Sequence, residues 1–125
     1  MLAPVTGRRL GLWAARAAFV AAFVVVFVAA VAPPSEGPSL VPWDKANHFI
    51  AFYVLAALAG AGFPKTRPLL ILAGLMAYGG AIELIQALPM VGRDAEVGDW
   101  IADGVGVAAA LGPLLLAHWR AGRHD

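Results

Sequence analysis

The chain has 125 residues, 61% of them hydrophobic and 14% charged, a net charge of +1 and no cysteine. Soluble domains average about 25% charged residues, so too little polar surface remains here for a water-soluble globule, and a single membrane domain is indicated. The near-neutral charge, with no basic patch among aromatics, argues against a nucleic-acid partner; the missing cysteines exclude disulfides, thiolate metal sites and cysteine nucleophiles.

Arg8 and Arg9 close a short N-terminal segment (residues 1–9) and precede an apolar run over residues 10–32, broken only by Arg16. That run exceeds the roughly 20 residues a helical span needs. A cleaved signal peptide is the competing reading, but its apolar region is usually only about 7–15 residues, and Pro33-Pro34 would follow the cut directly. Arg16 lies near enough to the end to snorkel towards headgroups. Residues 33–42, rich in proline, read as an irregular loop, and Trp43 suits the interfacial belt. Asp44 is a suitable N-cap for a second helix over 45–63. The tight basic loop Pro64-Lys65-Thr66-Arg67-Pro68 leads to a third helix over 69–88. A polar loop over 89–98 follows, then a fourth helix over 99–119 and a short tail over 120–125.

The expected fold is therefore an all-α membrane protein, a bundle of four transmembrane helices. Arg8, Arg9, Lys65, Arg67, Arg120 and Arg123 fall on one side of it, whereas Lys45 and Arg93 fall on the other. By the positive-inside rule both termini are cytoplasmic (N-in/C-in), and the loops 33–43 and 89–98 face outward. Small residues recur at helical spacing at Ala56 and Gly60, at Gly74, Gly79 and Gly80, and at Gly104, Ala108 and Gly112. Such faces let membrane helices approach closely.

The polar residues concentrate between Glu83 and Gly106. An ionisable group at a bilayer centre costs on the order of 3 kcal/mol on insertion scales, so such groups face the protein interior. Asp44 and His48 share a face at i, i+4, as do Asp99 and Asp103, while Glu83 and Gln86 are related by i, i+3. At about 1.5 Å per residue, His48, Glu83 and Asp103 all fall within about two turns of the outer boundary. Several of the polar residues have a plainer reading. His48 alone suits a structural hydrogen bond, Asp44 and Asp99 suit N-caps, and Arg93 suits a loop charge or a partner for Glu83 or Asp99. Asp94 and Glu96 read as solvated loop residues, Tyr78 and Trp119 as packing and belt aromatics. Glu83, Gln86 and Asp103 resist such accounts, because apolar residues would fill their positions without desolvation cost. Three chemistries could use this face. Hard N/O donors could hold a metal ion, although no His-x-x-x-His spacing supports it. Close carboxylates could perform acid–base catalysis. Lys45, Arg93, Gln86 and the acids could recognise a polar headgroup or envelope precursor.

In these residues the chain resembles the VanZ-like family of small bacterial membrane proteins, named for a teicoplanin-resistance protein. The resemblance rests on Asp44-Lys45-x-x-His48-Phe49, on Glu83-x-x-Gln86, and on Arg93 followed by Asp99 and the Gly104/Gly106 region. It spans residues 44–112. The family usually carries Asn where this chain has Asp103, which adds a charge. Membership implies a multi-spanning protein of the bacterial inner membrane with an envelope-related role, but it implies no particular reaction. The candidate catalytic residues are Glu83, Asp99, Asp103 and His48; the candidate substrate-binding residues are Asp44, Lys45, Gln86 and Arg93. Metal and cofactor are left open. Expected partners are membrane lipids, a lipid-linked envelope precursor and a second copy of the chain. The competing functions are a non-catalytic scaffold or accessory subunit and, third, a proton-coupled transporter.

Overall fold

Runs of Ala, Leu, Val and Ile bounded by proline or glycine form four α-helices and, among the described residues, no strand. The computed structural model describes residues 2–32, 44–92 and 95–122, with residues 2–6, 44 and 118 described by backbone alone. The helices are α1 (Leu2–Val31), α2 (Asp44–Gly62), α3 (Pro68–Gln86) and α4 (Val97–Gly122). α1 begins well before the expected residue 10. Pro4 falls in its first turn, where the missing N–H costs nothing, and the arginines that follow are good helix formers. α3 opens with Pro68, whose fixed φ suits a first helical position. α4 starts two residues earlier than expected and continues past Pro113 to Gly122. The proline-rich loop, Trp43, Arg93, Asp94 and residues 123–125 lie outside the described residues.

Three helices, α1, α3 and α4, are long and apolar enough to cross a membrane. α2 falls short of the same measure because Asp44, Lys45, Asn47 and His48 occupy its first turn. It is nonetheless the centre of the bundle, packing against all three other helices, while α4 lies on α2 and α3 and α1 lies on α2 and α3. The core joins Phe52, Leu55, Ala56 and Ala59 of α2 to Ile71, Leu75 and Ile82 of α3 and to Val107 and Leu111 of α4. α1 supplies only half-buried residues such as Phe19 and Val26. Val20, Val24 and Val28 are exposed along its length, as suits a helix surrounded by hydrocarbon.

Lipid is as apolar as leucine, so such helices associate by close packing and by hydrogen bonds rather than by hydrophobic drive. Among the described residues, several side chains donate to the backbone of a neighbouring helix. Arg16 Nε donates to the carbonyl of Gly62 at 2.8 Å, and the Tyr78 hydroxyl donates to that of Phe23 at 2.6 Å. Gln86 Nε2 donates to the carbonyl of Ala30 at 3.0 Å, and Trp100 Nε1 to that of Met76 at 2.9 Å. The closest backbone approach is at Gly106, where a Cβ would collide with the carbonyl oxygen of Phe49. The small-residue stripe of α4 read from spacing is different: Ala108 is exposed and Gly112 has no neighbour within 4 Å. The reason is the face that α4 turns inward, which runs through Asp99, Asp103, Val107 and Leu111.

Candidate functional site

That same stripe explains why the polar residues meet. On α2 the inward face runs from His48 to Phe52, Leu55 and Ala59, and on α3 it runs from Leu75 through Gly79 to Ile82. At the α2 N-terminal end the three stripes turn from apolar to polar without leaving the interior. Asp103 is 0% exposed and Asp99 3%.

His48 Nδ1 lies 2.7 Å from Asp103 Oδ1. An ionised Asp103 can only accept, so the imidazole donates to it through Nδ1. Its Nε2 stands 3.9 Å from Asp99 Oδ2, beyond hydrogen-bond reach. Glu83 Oε2 accepts the backbone N–H of Glu96 at 3.1 Å. Its Oε1 is buried and, among the described residues, accepts no hydrogen bond. One donor atom from each of His48, Glu83 and Asp103 lies within 4.8 Å of the others. Gly79 makes this possible, because a Cβ there would stand 2.7 Å from Asp103 Oδ2.

Lys45 sits at the rim. Its Nζ is 2.6 Å from Glu96 Oε2 and 3.5 Å from Asp99 Oδ1. The hydrogen bond from Lys45, followed by its charge, holds the Glu96 carboxyl below the ordinary carboxylate range. Glu96 is the exposed loop residue the sequence suggests, and it also forms the site's edge: its side chain accepts from Lys45 and its backbone N–H donates to Glu83. Asp99 is corrected. α4 begins at Val97, so Asp99 lies inside the first turn instead of capping it, and its buried carboxylate faces His48.

Of the residues singled out in the sequence, His48, Glu83, Asp99 and Asp103 come together, with Lys45 beside them. Gln86 is 3% exposed and turns its amide to α1. The Asp44 side chain and Arg93 lie outside the described residues. Sequence reading named Glu96, Gly79 and Gly106 but gave none of them a place at the site. Glu96 carried one usable signal, a carboxylate just before a helix and on the same side as Lys45. Chemically the cluster offers a carboxylate-oriented imidazole, which is a general base, and a set of N/O donors suited to a cation. Comparison of the chain with protein-family models, with curated proteins and with solved structures gave no match.

Proposed function

We propose that the chain is a VanZ-like protein of the bacterial inner membrane, spanning it four times with both termini inside. Its polar cluster, at the outer leaflet, binds or acts on the headgroup of a cell-envelope component such as a lipid-linked precursor. The observation that carries this reading is the buried His48–Asp103 pair with Glu83 and Asp99 beside it, built from three helices. Fixing a helix bundle does not require several carboxylates in low dielectric, and arrangements kept for activity commonly cost stability. The Lys/Arg asymmetry supports the orientation, and the residues shared with the VanZ-like pattern support the envelope role.

A scaffold role is the second reading, favoured by one observation: Arg16, Tyr78, Gln86 and Trp100 all spend their polar groups on neighbouring helices. The two readings differ in one measurable way. Native mass spectrometry of the protein extracted in lipid discs should find a polar-headed envelope lipid or precursor, retained by the wild type and lost from Glu83→Gln and Asp99→Asn. Both variants should melt at or above the wild-type temperature, and Asp103→Asn should be the mildest, since Asn still accepts from His48. No retained species, or one that survives both substitutions, would leave the scaffold reading in place.

A further inference from the structure

In hydrocarbon an apolar groove attracts nothing by itself, because bilayer and groove are equally apolar. Selection there falls to charge at the rim. One such groove lies at the end of the bundle away from His48 and Asp103. Phe19 and Phe23 of α1, Phe63 just beyond α2, and Ile71, Gly74 and Leu75 of α3 line it, around a volume of about 300 Å³. Ligand clefts span about 300–1,000 Å³, so this one has room for a single slender group. We propose that it takes one acyl chain of an anionic phospholipid, whose phosphate is held by Arg16 with Lys65 and Arg67. The inference goes beyond the function proposed above: it concerns the opposite end of α2 and needs only that the chain spans a membrane.

Three observations carry it. First, the groove lies where α1 and α3 part. Tyr78 bonds the carbonyl of Phe23 and Gln86 that of Ala30, tying the two helices from their middle to the polar-cluster end. Toward the other end the groove separates them, and Phe23, Phe63 and Gly74 are exposed along it. Second, Arg16 stands one turn from Phe19, its guanidinium carbon 5.2 Å from the ring centres of both Trp13 and Phe63. Its Nε donates to the carbonyl of Gly62, which fixes the group, while its Nη donors bond to nothing among the described residues. A planar donor fork held in place in this way matches the oxygens of a phosphate. Third, the charge at this end is of one sign. Lys65 and Arg67 are exposed and flank Thr66, which also lines the groove. No acid occurs before Glu36 or between Asp44 and Glu83, so α1, α3 and the loop before α3 offer these cations no carboxylate. Basic pockets between membrane helices are suited to anionic lipid headgroups.

The test uses the full chain, delipidated in a neutral detergent and titrated with dioleoyl phosphatidylglycerol or with dioleoyl phosphatidylcholine, which carry identical chains. Native mass spectrometry counts the lipid bound. One phosphatidylglycerol per chain is expected, held at least about tenfold tighter than phosphatidylcholine. Lys65→Gln combined with Arg67→Gln, and separately Arg16→Gln, should each weaken phosphatidylglycerol about fivefold or more and leave phosphatidylcholine unchanged. Gly74→Leu should fill the groove without strain, since a Cβ there meets nothing within 4 Å, and should weaken phosphatidylglycerol several-fold. Circular dichroism and gel filtration establish folding; should Arg16→Gln not fold, the other variants decide. Equal affinity for the two lipids, or a preference that neither Gly74→Leu nor the loop substitutions reduce, overturns the site. Displacement by an equal concentration of glycerol 3-phosphate assigns a soluble phosphate and overturns the lipid. A preference lost in Glu83→Gln but kept in Gly74→Leu moves the lipid to the polar cluster, which overturns this site and supports the function proposed above. The converse result supports this site alone.

Discussion

At the scale of single residues, glycines decide how close the helices come, and only some of them matter. Gly106 lies against the backbone of α2 at Phe49 and Tyr53, where nothing can give way. Gly106→Ala should therefore force α2 from α4 and destabilise the protein by about 1–3 kcal/mol, the usual cost of overpacking. Gly112→Ala meets nothing within 4 Å and should leave stability unchanged or raise it by up to about 1 kcal/mol through helix propensity. Thermal unfolding of the two variants in detergent measures the contrast, and equal melting temperatures would contradict the packing described. Sequence spacing could not make this distinction. The stripe Gly104, Ala108 and Gly112 has the regular period, but which stripe is inward depends on the neighbours. Here the acids settle it: Asp99 and Asp103 must avoid lipid, and they turn Val107 and Leu111 inward with them.

At the scale of elements, helix periodicity made much of the architecture legible. Four helices fall where apolar runs predict them, and shared depth on antiparallel helices explains why His48, Glu83 and Asp103 converge. Contacts made by loops and by long flexible side chains have no period and stayed hidden. Glu96 showed only its place before a helix on the same side as Lys45, which does not single it out as a partner, and Gln86, one turn from Glu83, gave no sign that it fastens α3 to α1. Gln86→Leu separates fastening from substrate contact. Interhelical hydrogen bonds in membrane proteins average about 0.6 kcal/mol, with a maximum near 1.7. A loss of stability in that range with ligand retention intact marks Gln86 as structural. Loss of retention at unchanged stability would return it to the binding residues.

At the scale of the whole molecule, orientation governs what the polar cluster can meet. Cysteines introduced at Ser39 and Val91 should react with an impermeant thiol reagent applied to intact cells, and one at Thr66 should not. Labelling at Thr66 alone would place the cluster at the inner leaflet and remove an exterior headgroup from its reach. The central position of α2 has a further consequence, for biogenesis. A segment with Asp44, Lys45, Asn47 and His48 in its first turn is a poor independent passenger of the translocon, where each central charge adds about 2.5–3.5 kcal/mol and terminal ones less. From Leu10 onward α1 is apolar except for Arg16, which holds the far end of α2 through its bond to Gly62. The two should then enter the bilayer as a pair, α1 chaperoning α2 until α4 arrives to cover its inward face. Glycosylation mapping in a reporter should find α2 inserting poorly alone and efficiently behind α1. Replacing Arg16 with Leu, which keeps α1 apolar but removes the tether, should reduce that gain.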